Sequence, residues 1–420
     1  MAANWNHFYQ KSAEQRLALV AQWAHLTPSQ LNDLQQTNAP IFDHLIENYL
    51  ADYALPEGVV THLTVNGTAY LVPMVIEEPS VIAAASNGSK LLSAGQGISA
   101  TIKERLLGGE VVMKNVSNAA LSALVARQQA TLIQLANASH PSILRHGGGA
   151  KRLTVRKLDD QFTAVDLLVD PGEAMGANLI NTMLESVAGW FRDRQYDVIM
   201  AILTNNADHS LVRVQGTVSF DRLGATLEAG RNVADRIADA STVAKIDPHR
   251  AVTNNKGIMN GVDAVVLAMG NDWRAVESAV HAFAASTGQY RGLSHWRVTQ
   301  TGLTGDMTIP LPVGYVGGAA GVFQMVAVNH AIAHVTDVSE LMKVIAAVGL
   351  AQNLAALKAL VTDGIQKGHM SLQLKSLAMA NGTKPAELGF IVGELRKLAR
   401  PDAEDVKQLL VQLRKQDFHE

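Results

Sequence analysis

Cysteine is absent from these 420 residues. That absence excludes disulfides, thiolate metal sites and any mechanism in which a cysteine carries an acyl group. Aromatic residues are scarce at 5%, and charged residues make up 17% against 48% hydrophobic, so the chain has ample core for two or three domains and is not disordered. A formal net charge of -3 argues against a general polyanion partner. The N-terminus, "MAANWNHFYQKSAEQRL", lacks an apolar signal core, which predicts a cytoplasmic protein. No charged residue falls between Asp306 and Asp337, yet that run holds Pro310, Pro312, four glycines, Gln324, Asn329 and two histidines. A lipid-facing helix would not choose these residues, so the run is expected to be buried protein interior and no membrane contact is expected.

A further absence is local. From Val111 to Leu158 there is no Asp or Glu, while Lys114, Arg127, Arg145, Lys151, Arg152, Arg156 and Lys157 are all basic. Seven uncompensated cations in a slightly acidic protein indicate a polyanionic ligand. Nucleic acid fits poorly, because the segment lacks interleaved aromatics and any reading motif. A phosphate-rich cofactor fits better. Two glycine-rich stretches could receive it: "RHGGGAKR" at 145–152, and "GEAMGANLINTM" at 172–183, where Gly176 and Ala177 open a helix whose unbonded N–H groups suit a pyrophosphate.

The patterning predicts a mixed α+β fold. Residues 11–50 read as helices, with Thr27-Pro28 as a helix start. Residues 59–76 read as a hairpin around Asn66-Gly67. Residues 110–219 read as strand, helix over 117–137, strands in 151–158 and 161–170, helix over 175–192, then strands in "DVIMAILTN" and "LVRVQGTVSF". That order, β-α-β-β-α-β, is the order of a ferredoxin-like sheet. Helices are expected at 228–243, 272–286 and 338–361, followed by amphipathic helices that Pro385 and Pro401 introduce.

Four places could carry chemistry. "HRAVTNNKGIMNG", 249–261, sets Lys256 among Asn254, Asn255, Asn260 and two glycines with Arg250 upstream, which reads as an anion-binding, carbonyl-polarising loop. A snorkelling or capping lysine is the alternative. In "GNDWRAVE", Asp272 opens a helix and is either its N-cap or the ion-pair partner that keeps Lys256 charged. Glu77 and Glu78 precede Pro79 at another helix start, where acids occur for dipole reasons alone or serve as proton donors. His369, beside Gly368, is either structural or an acid carried on a lid.

Taken together, "EEPS", "GEAMGAN", "HRAVTNNKGIMNG", "GNDWRAVE", "PVGYVGG", "AVGLAQN" and "GIQKGHM" resemble, in order, class II 3-hydroxy-3-methylglutaryl-CoA (HMG-CoA) reductases. The resemblance implies a two-step, four-electron reduction of HMG-CoA to mevalonate and CoA with two NAD(P)H and no metal. It implies that Lys256 polarises the thioester carbonyl, Asp272 tunes that lysine, Glu78 shares protons with it, and His369 protonates the departing CoA thiolate. Ser80, Arg250 and Asn260 would hold the hydroxymethylglutaryl group, with Asn205 near the reacting carbon. His140, Arg145, Lys151, Arg152, Glu173, Met175, Gly176, Ala177 and Asn178 would bind the cofactor. The implied architecture is a large domain formed by 1–109 and 215–367, interrupted by a small cofactor domain at 110–214 and closed by a helical flap at 368–420. Active sites in this family lie at a dimer interface, and hexamers are known.

Two features depart from the family pattern. Glu173 stands where "DAMGAN" has Asp, and His140 aligns where an NADH-specific member carries an aspartate. With no carboxylate there to repel a 2'-phosphate, and with Arg145, Lys151 or Arg152 to attract one, NADPH is the expected cofactor over NADH. The rivals are the same fold oxidising mevalonate with NAD, and a non-catalytic CoA- or nucleotide-binding protein; the latter should have lost one of Glu78, Lys256, Asp272 or His369, and none is lost.

Overall fold

The computed structural model describes residues 5–362, 364 and 374–416. The chain forms two compact units, Met1–Pro56 and Glu57–Glu420. In the first, helices α1 (Ala13–Ala24) and α2 (Pro28–Gln36) each begin with a reciprocal capping box, Ser12 with Gln15 and Thr27 with Gln30, which satisfies N–H groups that have no intrahelical acceptor. The centre of this unit is polar. Buried Arg16 donates to the carbonyls of Tyr49 at 3.1 Å and Lys11 at 2.6 Å, and pairs with Asp43.

The second unit opens with strands β1 (Glu57–Val65) and β2 (Thr68–Val75). Asn66 and Gly67 turn the hairpin at φ 50° and 85°, the left-handed pair that a two-residue turn demands. Helix α3 (Pro79–Ser93) and strand β3 (Ile98–Arg105) follow. Strand β4 (Leu107–Lys114), helix α4 (Asn118–Ser139), strands β5 (Gly149–Lys157) and β6 (Phe162–Asp170), helix α5 (Ala177–Arg192) and strand β7 (Asp197–Leu203) then form a β-α-β-β-α-β run. Its antiparallel sheet has the order β5-β6-β4-β7, and its own apolar core lies between sheet and helices.

The stretch "LVRVQGTVSF" does not belong to that sheet. It forms β8 (Ser210–Val218), which pairs antiparallel with β3 on one side and with β10 on the other. After β8 the chain forms α6 (Phe220–Leu223), α7 (Leu227–Ile246), α8 (Pro248–Ala268), α9 (Trp273–Ala285), β9 (Ser294–Val298) and β10 (Leu303–Pro310). The larger sheet thus has the order β2-β1-β3-β8-β10-β9. Helices α10 (Gln324–Ala333), α11 (Val338–Val361), α12 (374–380), α13 (Leu388–Leu395) and α14 (Ala403–Gln416) complete the chain.

Helix α11 is long and apolar enough to cross a membrane, but 72% of its apolar window is buried inside the protein. It is the core helix against which α3 and α8 pack. Both crossings are close: a Cβ on Gly88 would meet the Ala351 carbonyl oxygen at 1.9 Å, and one on Gly261 would meet Gln352 Cβ at 3.0 Å. The uncharged run 307–336 is only half interior. Met307, Ile309, Leu311 and Val313 are buried, whereas Val316, Phe323, Met325 and Val328 are exposed. Met307 and Ile309 point inward from β10 and Leu311 and Val313 follow it, whereas Met325 and Val328 face outward from α10, and Val316 and Phe323 precede that helix.

Candidate active site

One cavity of about 620 Å³ is bounded by the start of α3, the middle of α8 and the far half of α11. Glu78, Ser80, Arg250, Lys256, Asn260 and Gln352 supply its polar wall, while Ala84, Ala356, Leu357 and Leu360 supply apolar surface. The start of α3 separates the two candidate acids. Glu78 is the N-cap residue and faces the cavity; Glu77 is exposed. Glu78 Oε1 accepts from Ser80 Oγ at 2.8 Å and from Ser80 N–H at 3.4 Å, so the acid and the hydroxyl are fixed as a pair.

Lys256 does not sit in a loop. Asp247 caps the backbone N–H groups of His249 and Arg250, and α8 then runs unbroken through "HRAVTNNKGIMNG". Tertiary bonds override the poor helix propensity of Asn and Gly. Asn254 accepts from Asn353 Nδ2 at 3.0 Å, Asn353 accepts from the Trp296 indole at 2.7 Å, and Asn255 donates to the Arg291 carbonyl at 2.8 Å. Helical spacing then sets Arg250, Thr253, Gly257 and Asn260 on the cavity side with Lys256 flanking them. Lys256 is exposed and makes no hydrogen bond or ion pair among the described residues. The Arg250 Nε is buried without a partner, and burial lowers the affinity of its guanidinium for the proton, so the cavity carries a cation with no carboxylate paired to it among the described residues.

Asp272 does not meet Lys256 within the chain. It is the N-cap of α9 and pairs with Arg274 at 2.8 Å. Twelve residues of helix lie between Lys256 and the end of α8, a rise of about 18 Å. Instead, Asp272 adjoins the turn "PGEAMGAN". Its neighbour Asn271 bonds Gly314 in both directions, at 2.8 and 3.0 Å, and a Cβ on Gly314 would meet Met175 N at 2.3 Å.

Two charged side chains hold that turn. Arg105 donates to the carbonyls of Gly172, Ala174 and Val313. Glu173 accepts from Val338 N–H at 2.8 Å, and its carbonyl accepts from Tyr315 and Val316. The Glu173 carboxylate is thereby committed to the start of α11. Gly176 caps α5 at φ 89° with no side-chain cap, so the first N–H groups of α5, at Ala177 and Asn178, lack intrahelical acceptors.

The basic segment is smaller than its composition suggests. Arg156 is paired with Glu110 and Asp166, and Lys157 with Asp160. Arg145 and Arg152 are exposed with no partner among the described residues, and Lys151 reaches the Gly147 carbonyl at 3.2 Å. These cations flank the triple-glycine turn, where Gly147 and Gly149 are left-handed. His140 ends α4 and bonds Ser142 at 2.9 Å. These residues fit a phosphorylated nucleotide: exposed cations stand by one turn, and an uncapped helix start lies at the other.

The structure thus brings Glu78, Ser80, Arg250, Lys256 and Asn260 to one cavity. It leaves Asn205, exposed in the link between β7 and β8, and Asp272 outside that cavity's walls. His369 lies outside the described residues. Sequence reasoning missed Gln352 and Asn353 as individual residues, although "AVGLAQN" contains them, and missed Arg105 altogether; nothing in "KERLLGG" marks it.

A fold with one polar, cation-bearing cavity and a separate phosphate-suited turn is that of a nucleotide-dependent enzyme. A profile of the family "Hydroxymethylglutaryl-coenzyme A reductase" matches residues 12–374, and the chain belongs to this family of NAD(P)H-dependent oxidoreductases. It is 37% identical over 415 residues to the 3-hydroxy-3-methylglutaryl-coenzyme A reductase of Archaeoglobus fulgidus, covering 97% of this chain and 94% of the relative. A probable reductase of the same name from Borreliella burgdorferi is 34% identical over 349 residues, 83% of this chain and 80% of that protein. Among solved structures, the class II reductase of Streptococcus pneumoniae bound to NADPH in open conformations is similar at TM-score 0.76 and 41% identity, covering 96% of this chain and all of that one.

Proposed function

We propose that the chain reduces HMG-CoA to mevalonate and CoA in the cytoplasm, consumes two NADPH in preference to NADH, and does so in sites each built from two copies of the chain. The observation that carries the reading is the convergence of Glu78, Ser80, Arg250, Lys256 and Asn260 on one cavity, of a size that suits a small ligand. The separation of Asp272 and the "EAMGAN" turn from that cavity supports the shared site, because one chain alone presents the lysine and the cofactor turn apart. Residues 110–214 form the cofactor domain in this reading, and 368–420 the flap.

With no cysteine to hold an acyl group, the thioester carbon must be attacked directly, and a fixed cation must stabilise the oxyanion. Lys256 supplies it. Arg250 binds the substrate carboxylate, Ser80 and Asn260 orient the hydroxymethylglutaryl chain, and a second copy's turn brings Asp272 and Asn205 to the same carbon. Protonation of the first tetrahedral oxyanion gives a hemithioacetal; its hydroxyl proton returns to the Glu78–Lys256 pair as the carbon–sulfur bond breaks, and the CoA thiolate takes its proton from His369. Glu78 and Lys256 then supply the proton for the aldehyde oxygen in the second reduction.

Arg145, Lys151 and Arg152 would hold the 2'-phosphate, and Met175 to Asn178 with the α5 N-terminus the pyrophosphate, with His140 beside the adenosine. Glu173 shapes that turn. Bound there, reduced nicotinamide supplies the hydride in both steps. An absorbance assay at the reduced-nicotinamide band tests the reading: HMG-CoA should accelerate loss of that band with NADPH more than with NADH. No HMG-CoA-dependent loss with either cofactor contradicts it.

A further inference from the structure

A row of polar side chains outside this chemistry joins α8 to α9. Asp263, seven residues beyond Lys256 on α8, brings its carboxyl within hydrogen-bond reach of Glu277 on α9. Glu277 also meets His281 Nε2 at 2.6 Å. His281 Nδ1 meets the Tyr290 hydroxyl at 2.6 Å with the rings stacked, and the Asn255 side chain lies beside Tyr290. Asn255 returns the row to α8, next to the cavity residue Asn254. Helix α9 also bridges the molecule: Val276 and Val280 pack in the core of the larger sheet, and Ala279 in the core of the smaller one.

His281 links the row through both ring nitrogens, 2.6 Å from the Tyr290 hydroxyl on one side and 2.6 Å from the Glu277 carboxylate on the other. Asp263 remains at the end. Its Oδ1 is shut off from solvent and has no hydrogen-bond partner among the described residues, so an ionised Asp263 would set two carboxylates against each other in a buried site. A proton on Asp263 converts that repulsion into another bond to Glu277.

We propose that Asp263 and Glu277 share one proton, and that the resulting bond is a positioning device fastening α9, which Asp272 caps, to the helix that bears Lys256. Its link to catalysis rests on the reductase reading; the bond itself does not. Glu277, His281 and Tyr290 are the titratable groups in the row, and Glu277 carries the charge that acts on Asp263. Glu277 and His281 keep solvent contact, at 27% and 40% side-chain exposure, so bulk pH reaches them. Burial first, then Glu277, pushes the Asp263 carboxyl up to about 9 from an ordinary 3.8. The folded state therefore holds a proton that the unfolded chain has released, and stability falls as pH rises through that interval.

Melting of the full-length wild type and D263N from about pH 6 to about pH 9 tests the inference. The amide in D263N donates to Glu277 without a titratable proton, so the wild-type fall in Tm should shrink by at least about half in the variant. An unchanged fall overturns the proposal. D263A lacks donor and carboxyl alike and should lose kcat/KM that D263N largely retains; equal losses also overturn it. Should D263N not fold, the wild-type infrared spectrum decides. A neutral-carboxyl band at neutral pH that disappears on alkalinisation supports the shared proton, and its absence refutes it. The melting and infrared readouts need no thioester reduction, so failure here is distinguishable from failure of the reductase reading.

Discussion

Lys256 and Asp272 stand at opposite ends of one geometry: Lys256 flanks the cavity from the third turn of α8, and Asp272 caps α9 beyond the far end of α8, paired with Arg274 at 2.8 Å. A lysine that stabilises an oxyanion is best placed beside an acid that keeps it charged, and this chain holds the two apart. The same separation applies to the proposed cofactor turn "PGEAMGAN", which Gly314, bonded to Asn271, abuts on the Asp272 side. The reaction, on this account, is completed only where two chains meet.

Replacing the lysine should remove activity and leave the fold intact. Lys256 is exposed and makes no polar contact among the described residues, so Lys256→Ala should change stability by less than about 0.5 kcal/mol. Loss of one oxyanion contact should lower turnover by roughly 10²- to 10³-fold. Turnover and thermal melting measured on the same preparation check both halves of the expectation.

Arg105 should behave differently. It donates to the carbonyls of Gly172, Ala174 and Val313 around the proposed cofactor turn, and burial lowers its proton affinity against the opposing pull of Asp170 and Glu173. Arg105→Ala leaves buried carbonyls unsatisfied and should cost about 1–3 kcal/mol in stability. It should also raise KM for NADPH by about tenfold while KM for HMG-CoA changes little, because binding at a preorganised turn is what is lost. Arg105→Lys keeps the charge but not the planar fork and should not rescue. Steady-state kinetics with each substrate varied in turn decides.

Cofactor choice should lie in the two unpaired arginines. Removing Arg145 and Arg152 together should lower the ratio of kcat/KM for NADPH over NADH by about tenfold or more, since a charge-assisted pair to the 2'-phosphate is lost for one cofactor only. An equal loss for both cofactors would place these residues away from that phosphate.

Much of the fold was legible because its signals are local. The Asn66-Gly67 hairpin, the 338–361 helix and the strand and helix order of the smaller sheet follow from periodicity and turn chemistry, which short windows carry. The assignment of "LVRVQGTVSF" to that sheet failed because partner choice is non-local: β8 reads like any alternating strand until β3 and β10 flank it. Asn254, Asn255 and Gly257 disfavour helix in isolation, so the sequence alone places Lys256 in a loop; buried bonds from Asn255 to Arg291 and from Asn254 to Asn353, itself held by Trp296, reverse that preference. Residue types and motifs pointed to Glu78, Arg250 and Asn260, and the cavity joins them. Arg105, Asp263 and Glu277 matter only through partners distant in sequence, so no spacing announced them.

The most direct test of a site shared between chains is complementation. Lys256→Ala and Asp272→Ala proteins, each close to inactive alone, are mixed under conditions that let subunits exchange. If the lysine and the aspartate of one site come from different chains, half of randomly reassorted dimers carry one intact site of two, and activity should return to about one quarter of wild type. Activity that stays at the level of the separate variants, with hybrid dimers demonstrably formed, contradicts the account.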